Sequence, residues 1–390
     1  MNRQEVHIVG AGPSGLAAAL YLARAGLKPV VFEQAHDIGA RFHGDFQGLE
    51  NWSTGEEVTE MLAALGIERN FRCVPNDTGA VFGPSGQRTD LNTERPLFYL
   101  VERGNGPASL DRGLKRQAEK AGAEFRFGVR MEEAQADKVI VATGPRTPSA
   151  VARGLVFETS HPDGFYAFLG DHLAPQGYAY MLVHEGRATL ATCLFEEFDR
   201  AQSHFEQTLR TALDVIEFDI HAPQSFGGYV DFGLRRPWTR NDRFYYVGER
   251  AGLQDALWGF GLRYALRSGM LAARAIAMGE DYGALVEEHL VGRLKASLAN
   301  RVLFNRLGNH GYGWALQRLS SVDVVSLLQR HHQPSSAKDV LYDIGRRLHP
   351  TRRERACGKE TCSCLWCECG AADDHTSPCE DVRTAGESAS

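Results

Sequence analysis

The stretch from Val6 to Glu33, VHIVGAGPSGLAAALYLARAGLKPVVFE, most constrains what this chain can fold into. Val6, Ile8 and Val9 predict a short strand buried on both faces. Gly10, Gly12 and Gly15 follow in G-x-G-x-x-G spacing, with Pro13 and Ser14 inside the turn, and Leu16 to Ala25 read as an alanine-rich helix. After Gly26, Pro29 to Phe32 form a second strand that ends at Glu33. In such a unit the first glycine allows a tight turn, the second lets backbone amides approach a pyrophosphate, and the third lets helix pack on strand. The helix N-terminus offers unpaired N–H groups and a partial positive charge to phosphate. Glu33 stands where ribose hydroxyls would donate. A lone glycine signature could be an ordinary structural turn. Together with both strands, the helix and the acid, it predicts a dinucleotide site.

A chain of 390 residues is too long for one small core, so two lobes and a tail are expected. A hydrophobic fraction of 43% and a charged fraction of 24% are those of a globular protein. The net charge of −6 argues against a general nucleic-acid binder. No apolar run reaches the roughly 18 residues a membrane span needs, and the first strand starts too early for a signal peptide. The expectation is a cytoplasmic protein, with peripheral membrane contact left open.

Between Glu33 and about Gly55 the sequence reads as a loop, AHDIGARFHGDFQGLENWSTG. Helices are expected over about 56–65 and 107–121, with strands near 80–82, 97–101, 124–127 and 138–141. From Phe165 to Phe195 the pattern turns strand-like, with His184-Glu185-Gly186-Arg187 as a hairpin turn. A helix over about 199–213 and a strand near 228–232 follow. Phe244–Val247 reads as another buried strand, leading into GERAGLQDALWGFGL and a long helix over about 262–277, with helical sequence to about Leu348. The fold class is therefore α/β: a Rossmann-like nucleotide-binding domain, an inserted antiparallel-sheet substrate domain, and a helical C-terminal region. The expected division is 1–160 with 235–285 for the nucleotide lobe, 161–234 with parts of 70–105 for the β-rich lobe, 286–350 helical, and 351–390 as a cysteine-rich tail that does not pack on the core.

Three further segments narrow the nucleotide. VIVATGP at 139–145, with Gly144 in the turn, resembles the A-T-G turn of two-domain flavoproteins. YYVGERAGLQDALWGFGLRYALRSGMLAA resembles a second flavin fingerprint, with Gly248-Glu249 at its Gly-Asp position and Gly259 and Gly261 opening the helix at Leu262. FYLVERGNGPASLDRGLK places Arg103 before a Leu-Asp pair and a helix. In order and spacing, these segments resemble the p-hydroxybenzoate hydroxylase-type flavoproteins, most like the geranylgeranyl reductase branch, over about residues 5–285. The resemblance implies FAD contacts from Gly10, Gly12, Pro13, Ser14, Gly15, Glu33, Arg41, Arg103, Gly144, Gly248, Glu249, Gly259, Gly261 and Leu262. It also implies an apolar substrate, isoprenoid-like or aromatic, held at the flavin ring between the lobes, with NAD(P)H as a candidate electron donor.

The sequence also departs from these relatives. Ala256 stands where many carry a proline before the paired glycines, with Trp258 beside Gly259. His43 stands where geranylgeranyl reductases often carry a cysteine. Their Y-x-W-x-F-P signature survives only as YAYML at 178–182, and the W-x-W-x-I-P of flavin halogenases is absent. The Asp-Gly motif many relatives place around FAD and NAD(P)H is not evident. The candidate catalytic residues are His43, as an acid of a residue type that titrates near neutrality, and Trp258, stacking on substrate or flavin. Their bland alternatives are a backbone-bonded loop histidine and plain packing. Tyr178 and Tyr180 alternate on one strand and can share a face, lining an apolar pocket or an ordinary sheet.

Six of the eight cysteines crowd into the tail, Cys357, Cys362, Cys364, Cys367, Cys369 and Cys379. Thiolates this close can wrap a soft metal, and Cys362, Cys364, Cys367 and Cys369 around Zn²⁺ are the first candidate, against a flexible, oxidation-sensitive tail that binds metal only adventitiously. The favoured expectation is an FAD-dependent reductase giving hydride from flavin N5. A monooxygenase is the runner-up. A flavin electron-transfer or redox-sensing protein, using the tail toward a redox partner, is the rival of another class.

Overall fold

The computed structural model describes residues 4–131, 136–319 and 322–348. The opening expectation holds closely: strand Glu5–Val9, helix Pro13–Arg24 and strand Lys28–Glu33. These sit in a six-stranded sheet ordered Thr239–Arg240, Phe244–Tyr246, Lys138–Val141, Glu5–Val9, Lys28–Glu33, Glu124–Phe127. All neighbours are parallel except the short first pair. The order runs outward on both sides of Glu5–Val9, so its carboxyl end lies at the switch point where doubly wound sheets bind ligands.

Helix Pro13–Arg24 packs on helix Leu262–Met278 over one face of this sheet, so the two flavin fingerprints meet. The contact is close: a Cβ at Gly269 would lie 2.0 Å from the Ser14 carbonyl oxygen. Gly10 is held at φ +105°, and a Cβ there would lie 2.3 Å from the Ala142 carbonyl oxygen. Only glycine fits that position. Helix Leu110–Ala121 covers Pro13–Arg24 on the other side, capped by Ser109, whose Oγ accepts the Arg112 amide at 3.1 Å.

The second lobe is a seven-stranded sheet ordered His221–Val230, Ala150–Glu158, Arg187–Leu194, Tyr178–His184, Gly164–Phe168, Thr78–Phe82, Arg88–Asn92. Its neighbours are antiparallel except Gly164–Phe168 with Thr78–Phe82. The hairpin at 184–187 is present, with Glu185 at φ 47° and Gly186 at φ 74°, the left-handed pair such a turn needs. Alternation on Tyr178–His184 splits its side chains cleanly. Ala179, Met181 and Val183 pack with Phe205 and Ala212 of helix Ala201–Val215, while Tyr180 and Leu182 pack on the opposite side with Trp52, Phe98, Trp258 and Phe260.

One expectation needs correcting. The segment after Glu33 is not all loop, because Phe46–Glu50 is a strand in a three-stranded sheet with Phe98–Glu102 and Cys73–Asn76. Its sequence, FQGLE, lacks an alternating pattern, and antiparallel pairing to Phe98–Glu102 supplies what local propensity does not. Strands Ala150–Glu158 and Arg88–Asn92 were also not anticipated, and Ala150–Glu158 lies inside the large sheet between two partners. Helices Gly292–Phe304, Gly308–Leu319, Val324–His332 and Ser336–Leu348 follow the second fingerprint, and the first three close over the junction between lobes. The candidate metal ligands Cys362, Cys364, Cys367 and Cys369 lie outside the described residues.

Candidate functional site

The crevice begins at the carboxyl end of Glu5–Val9. Gly12 is the N-cap of helix Pro13–Arg24 and no side chain caps that end. A Cβ at Gly12 would meet nothing within 4 Å. The uncapped N-terminus of Pro13–Arg24 thus has open space beside Gly12, as a phosphate site requires. Glu33 closes the turn from the neighbouring strand: its carboxylate accepts the Ala11 and Ala35 amides, each at 2.9 Å. Gly144 sits at φ 78° on the adjacent turn.

Gly248-Glu249 follows strand Phe244–Tyr246. The Gly248 amide donates to Ser268 Oγ at 2.9 Å, and a Cβ at Gly248 would lie 3.0 Å from Ser14 Oγ, so Ser14 and Gly248 are neighbours. Glu249 is largely enclosed, and among the described residues it has no hydrogen bond or ion pair. Burial pushes its carboxyl up to about 7, opposed by the nearby charges of Arg41 and Arg103. A group at this balance point is suited to accept hydroxyl donors, which favour its ionised form.

Arg41 and Arg103 flank one ring. Their guanidinium carbons lie 4.7 and 4.1 Å from the Phe42 centroid. Arg103 is buried and committed within the protein: Nε and Nη2 donate to Asp111 at 2.9 and 3.0 Å, and Nη1 donates to Gln47 at 3.0 Å. Arg103 therefore clamps the loop and strand beneath Phe42, and Arg41 remains exposed at the crevice mouth.

His43 is on the exposed rim between the lobes. The Gln224 side-chain amide donates to His43 Nδ1 at 2.9 Å. With Nδ1 accepting, the neutral ring carries its proton on Nε2. Sequence reasoning passed over the next acid, Asp45, which is 1% exposed. Its carboxylate accepts the His43 amide at 3.2 Å and the Gln47 side-chain amide at 3.0 Å. Burial pushes its pKa up, and the Arg103 charge opposes that. The available signal was an acid in a glycine-rich loop directly before an aromatic residue.

Trp258 lies deeper. Its backbone carbonyl accepts from Tyr178 Oη at 2.6 Å, and its ring meets Tyr178 and Phe304 edge-on at 5.6 and 5.0 Å. Tyr178 and Tyr180 do share a face, with centroids 6.2 Å apart. Burial holds both phenols well above their usual range and raises neighbouring Cys193 to about 12, so this wall is neutral. No described contact joins His43 to Trp258.

The loop carrying Trp258, Gly259 and Gly261 ends at helix Leu262–Met278, whose N-terminus also lacks a side-chain cap. Gln254 occupies the space beside Gly261, where a Cβ would lie 1.9 Å from its Oε1, and Gln254 Nε2 donates to the Gly259 carbonyl at 2.6 Å. The C-terminal helices fix this loop through residues that sequence reasoning missed. Ser297 Oγ accepts the Ala256 and Leu257 amides at 2.8 and 3.0 Å and donates to Asp255 Oδ1 at 2.5 Å. Asp255 Oδ2 accepts the Trp258 amide at 2.6 Å. Arg301, fully buried, donates to the carbonyls of Ala256, Leu257 and Gln176 and stacks 3.6 Å from the Phe195 centroid.

His332 completes this brace. Its Nδ1 donates to the Leu328 carbonyl at 2.9 Å, and Nε2 lies 3.4 Å from Asp255 Oδ1, an ion pair longer than a good hydrogen bond. Burial alone would lower the His332 pKa, and Asp255 reverses that to a net rise; Asp255 itself is lowered, against its own desolvation, by His332 and Ser297. The signs set the pH window. The histidine's contribution is full below its ordinary value and is lost as pH rises through the raised one, while the aspartate's is lost only in acid. His332→Gln should cost about 3–5 kcal/mol, the usual cost of stranding one partner of a buried pair. The gap in melting temperature between wild type and variant should narrow as pH is raised above neutrality. Thermal melts across pH check this, and a gap that widens in alkali would refute the charged pair.

Among the described residues no group of three or more His, Cys, Asp or Glu is placed to hold a metal ion, and no helix is long and apolar enough to cross a membrane.

Comparison with known proteins agrees with this geometry. Residues 8–48 match the NAD(P)-binding Rossmann-like domain family. The chain is 25% identical to digeranylgeranylglycerophospholipid reductase 2 of Methanothermobacter thermautotrophicus, across 88% of this chain and 100% of that protein. Among solved structures, it is similar to a geranylgeranyl bacteriochlorophyll reductase-like protein of Thermoplasma acidophilum, with TM-score 0.67, 19% identity, and coverage of 84% of this chain and 96% of that one. A flavin-dependent brominase shares the fold, with TM-score 0.61, 15% identity, and coverage of 89% and 99%.

Proposed function

We propose that this chain, an oxidoreductase related over most of its length to digeranylgeranylglycerophospholipid reductases, binds FAD and reduces carbon–carbon double bonds in an isoprenoid lipid. The observation that carries the reading is the close packing of two helices whose N-termini, at Gly12 and Gly261, lack side-chain caps, with Gly248 of the Gly248-Glu249 turn beside Ser14. The residues present fit the cofactor. Gly10, Gly12, Pro13, Ser14 and Gly15 would hold the pyrophosphate, Glu33 the adenosine ribose, and Glu249 the ribityl hydroxyls. Gly144 and Arg41 would border the ribityl and pyrophosphate groups, with Arg103 fixing the loop below them. Gly259, Gly261 and the amide of Leu262 would meet the electron-poor edge of the flavin.

Bound, reduced FAD supplies a hydride to the substrate. The residues of this chain do the rest. Trp258, Tyr178 and Tyr180 give the substrate an apolar and uncharged wall, which suits a prenyl chain and excludes water from the transfer. His43, held at the rim by Gln224, delivers as the imidazolium the proton that completes saturation and is left as the neutral ring. Ser297, Arg301 and His332 hold the Ala256–Gly261 loop in place. NAD(P)H or a reduced protein partner is the candidate electron source, and the tail thiolates Cys362, Cys364, Cys367 and Cys369 are the candidate soft-metal ligands.

Product analysis separates this reading from monooxygenation. The expected product is the substrate with two hydrogens added per reduced bond, formed without oxygen. Oxygen consumption matched by a hydroxylated product would replace the reductase with a monooxygenase.

A further inference from the structure

Helix Gly308–Leu319 has two unlike faces. Tyr312 and Leu316, 2% and 1% exposed, point into the protein. On the other side Leu307, Gly311, Trp314 and Arg318 recur at i, i+4, i+7 and i+11, one stripe of a helix. Leu307 lies against Gly311, where a Cβ would be 2.6 Å from its own. Trp314 is 57% exposed, Leu307 44%, and Leu303 at the end of the preceding helix 47%. The Arg318 guanidinium carbon sits 3.8 Å from the Trp314 centroid, a cation held at the level of an exposed indole.

The charge pattern is as uneven as the apolar one. The whole chain carries −6, yet no Asp or Glu occurs between Glu288 and Asp323, while Arg306 and Arg318, both exposed, do. Asp171, an acid brought near from elsewhere, is engaged: its carboxylate accepts from Tyr312 Oη at 3.2 Å, and its amide donates to Asn309 at 2.8 Å. Beneath this face the rings pack in series. Tyr312 stacks on Phe304 at 5.0 Å, Phe304 meets Trp258 at 5.0 Å, and Trp258 meets Tyr178 at 5.6 Å.

We propose that the face carrying Leu303, Leu307 and Trp314, edged by Arg306, His310 and Arg318, docks on the surface of an anionic lipid bilayer. Exposed Leu and Trp side chains enter the headgroup boundary, and the cations around them meet anionic lipid. The inference rests on the lipid-substrate reading: the face lies over the packed rings of Tyr312 and Phe304, which back Trp258 and the wall of the candidate site. Charge complementarity favours a bilayer over a second copy of this acidic chain, whose matching face would be equally basic.

Flotation of the full-length, FAD-loaded protein tests this with vesicles of phosphatidylglycerol mixed into phosphatidylcholine, and of phosphatidylcholine alone. Binding to the anionic vesicles is expected, weakened by high salt, and little to the neutral ones. Trp314→Asp and Leu307→Asp, both at exposed positions, should each lower vesicle binding about tenfold or more, with far-UV circular dichroism unchanged. Arg306→Glu should weaken it less and remove part of the salt dependence. Turnover of detergent-dispersed prenyl lipid should be unchanged in all three, and an inactive wild type there would count against the reductase reading and not against docking. Equal binding to both vesicle types, absence of binding, or variants that float like wild type would overturn the proposal. So would a wild-type dimer that Trp314→Asp converts to a monomer, which would assign the face to a second copy.

Discussion

Gly12→Val is expected to purify colourless, folded and without FAD. Gly12 has φ −79° and ψ 177°, extended backbone that any residue adopts, and a Cβ there meets no protein atom within 4 Å. The substitution therefore costs the apo-protein little, and the valine projects into the space before the first-turn amides of Pro13–Arg24. Two charge-assisted hydrogen bonds to phosphate lost at about 1.5–3 kcal/mol each correspond to roughly 10²–10⁴ in Kd. Flavin absorbance per chain after purification, and titration of the apo-protein with FAD, check it. A yellow variant with normal flavin content would remove the pyrophosphate from this crevice. Gly10→Val is the instructive contrast, since φ +105° and the Ala142 carbonyl make that change a folding defect.

His43→Ala is expected to slow product formation about 10²-fold while leaving flavin content and reduction rate intact, the usual scale for removing a positioned acid. The side chain is exposed, so the stability cost should stay within about 0.5 kcal/mol. The loop keeps its shape because Asp45 grips it through the His43 backbone amide, which alanine retains. The decisive readout is single-turnover oxidation of reduced protein by substrate, with its solvent isotope effect. An unchanged rate would make His43 a loop residue and turn attention to Asp45, the buried carboxyl two positions on.

The nucleotide lobe was legible because its elements are local: a buried strand, a glycine turn, an alanine-rich helix and a second strand follow one another within residues 5–33. The sharing of one sheet face by Tyr178 and Tyr180 was legible too, because strand alternation fixes it. The strand Phe46–Glu50 was hidden, since its pairing partner lies about fifty residues away and its own sequence has no period-two pattern. Ala150–Glu158 was hidden in a different way, its glycine and arginine masking a strand supported by two neighbours. The brace on the flavin loop could not be read at all. Asp255, Ser297, Arg301 and His332 come from segments up to 77 positions apart, and nothing in their sequence spacing relates them. Arg103 shows what packing adds to a motif, because the arginine expected near the cofactor gives its guanidinium to Asp111 and Gln47, which sequence spacing alone does not reveal.

The central claim is that electrons stored in this chain's flavin pass directly to an unsaturated prenyl lipid. FAD-loaded protein is photoreduced under strict anaerobiosis, mixed with detergent-dispersed digeranylgeranylglycerophospholipid, and followed by the return of oxidised-flavin absorbance. The account predicts reoxidation by the unsaturated lipid, one flavin oxidised per double bond reduced, and none by its fully saturated counterpart. Reduced protein that stays reduced with the lipid, yet reoxidises at once when oxygen is admitted, would contradict it.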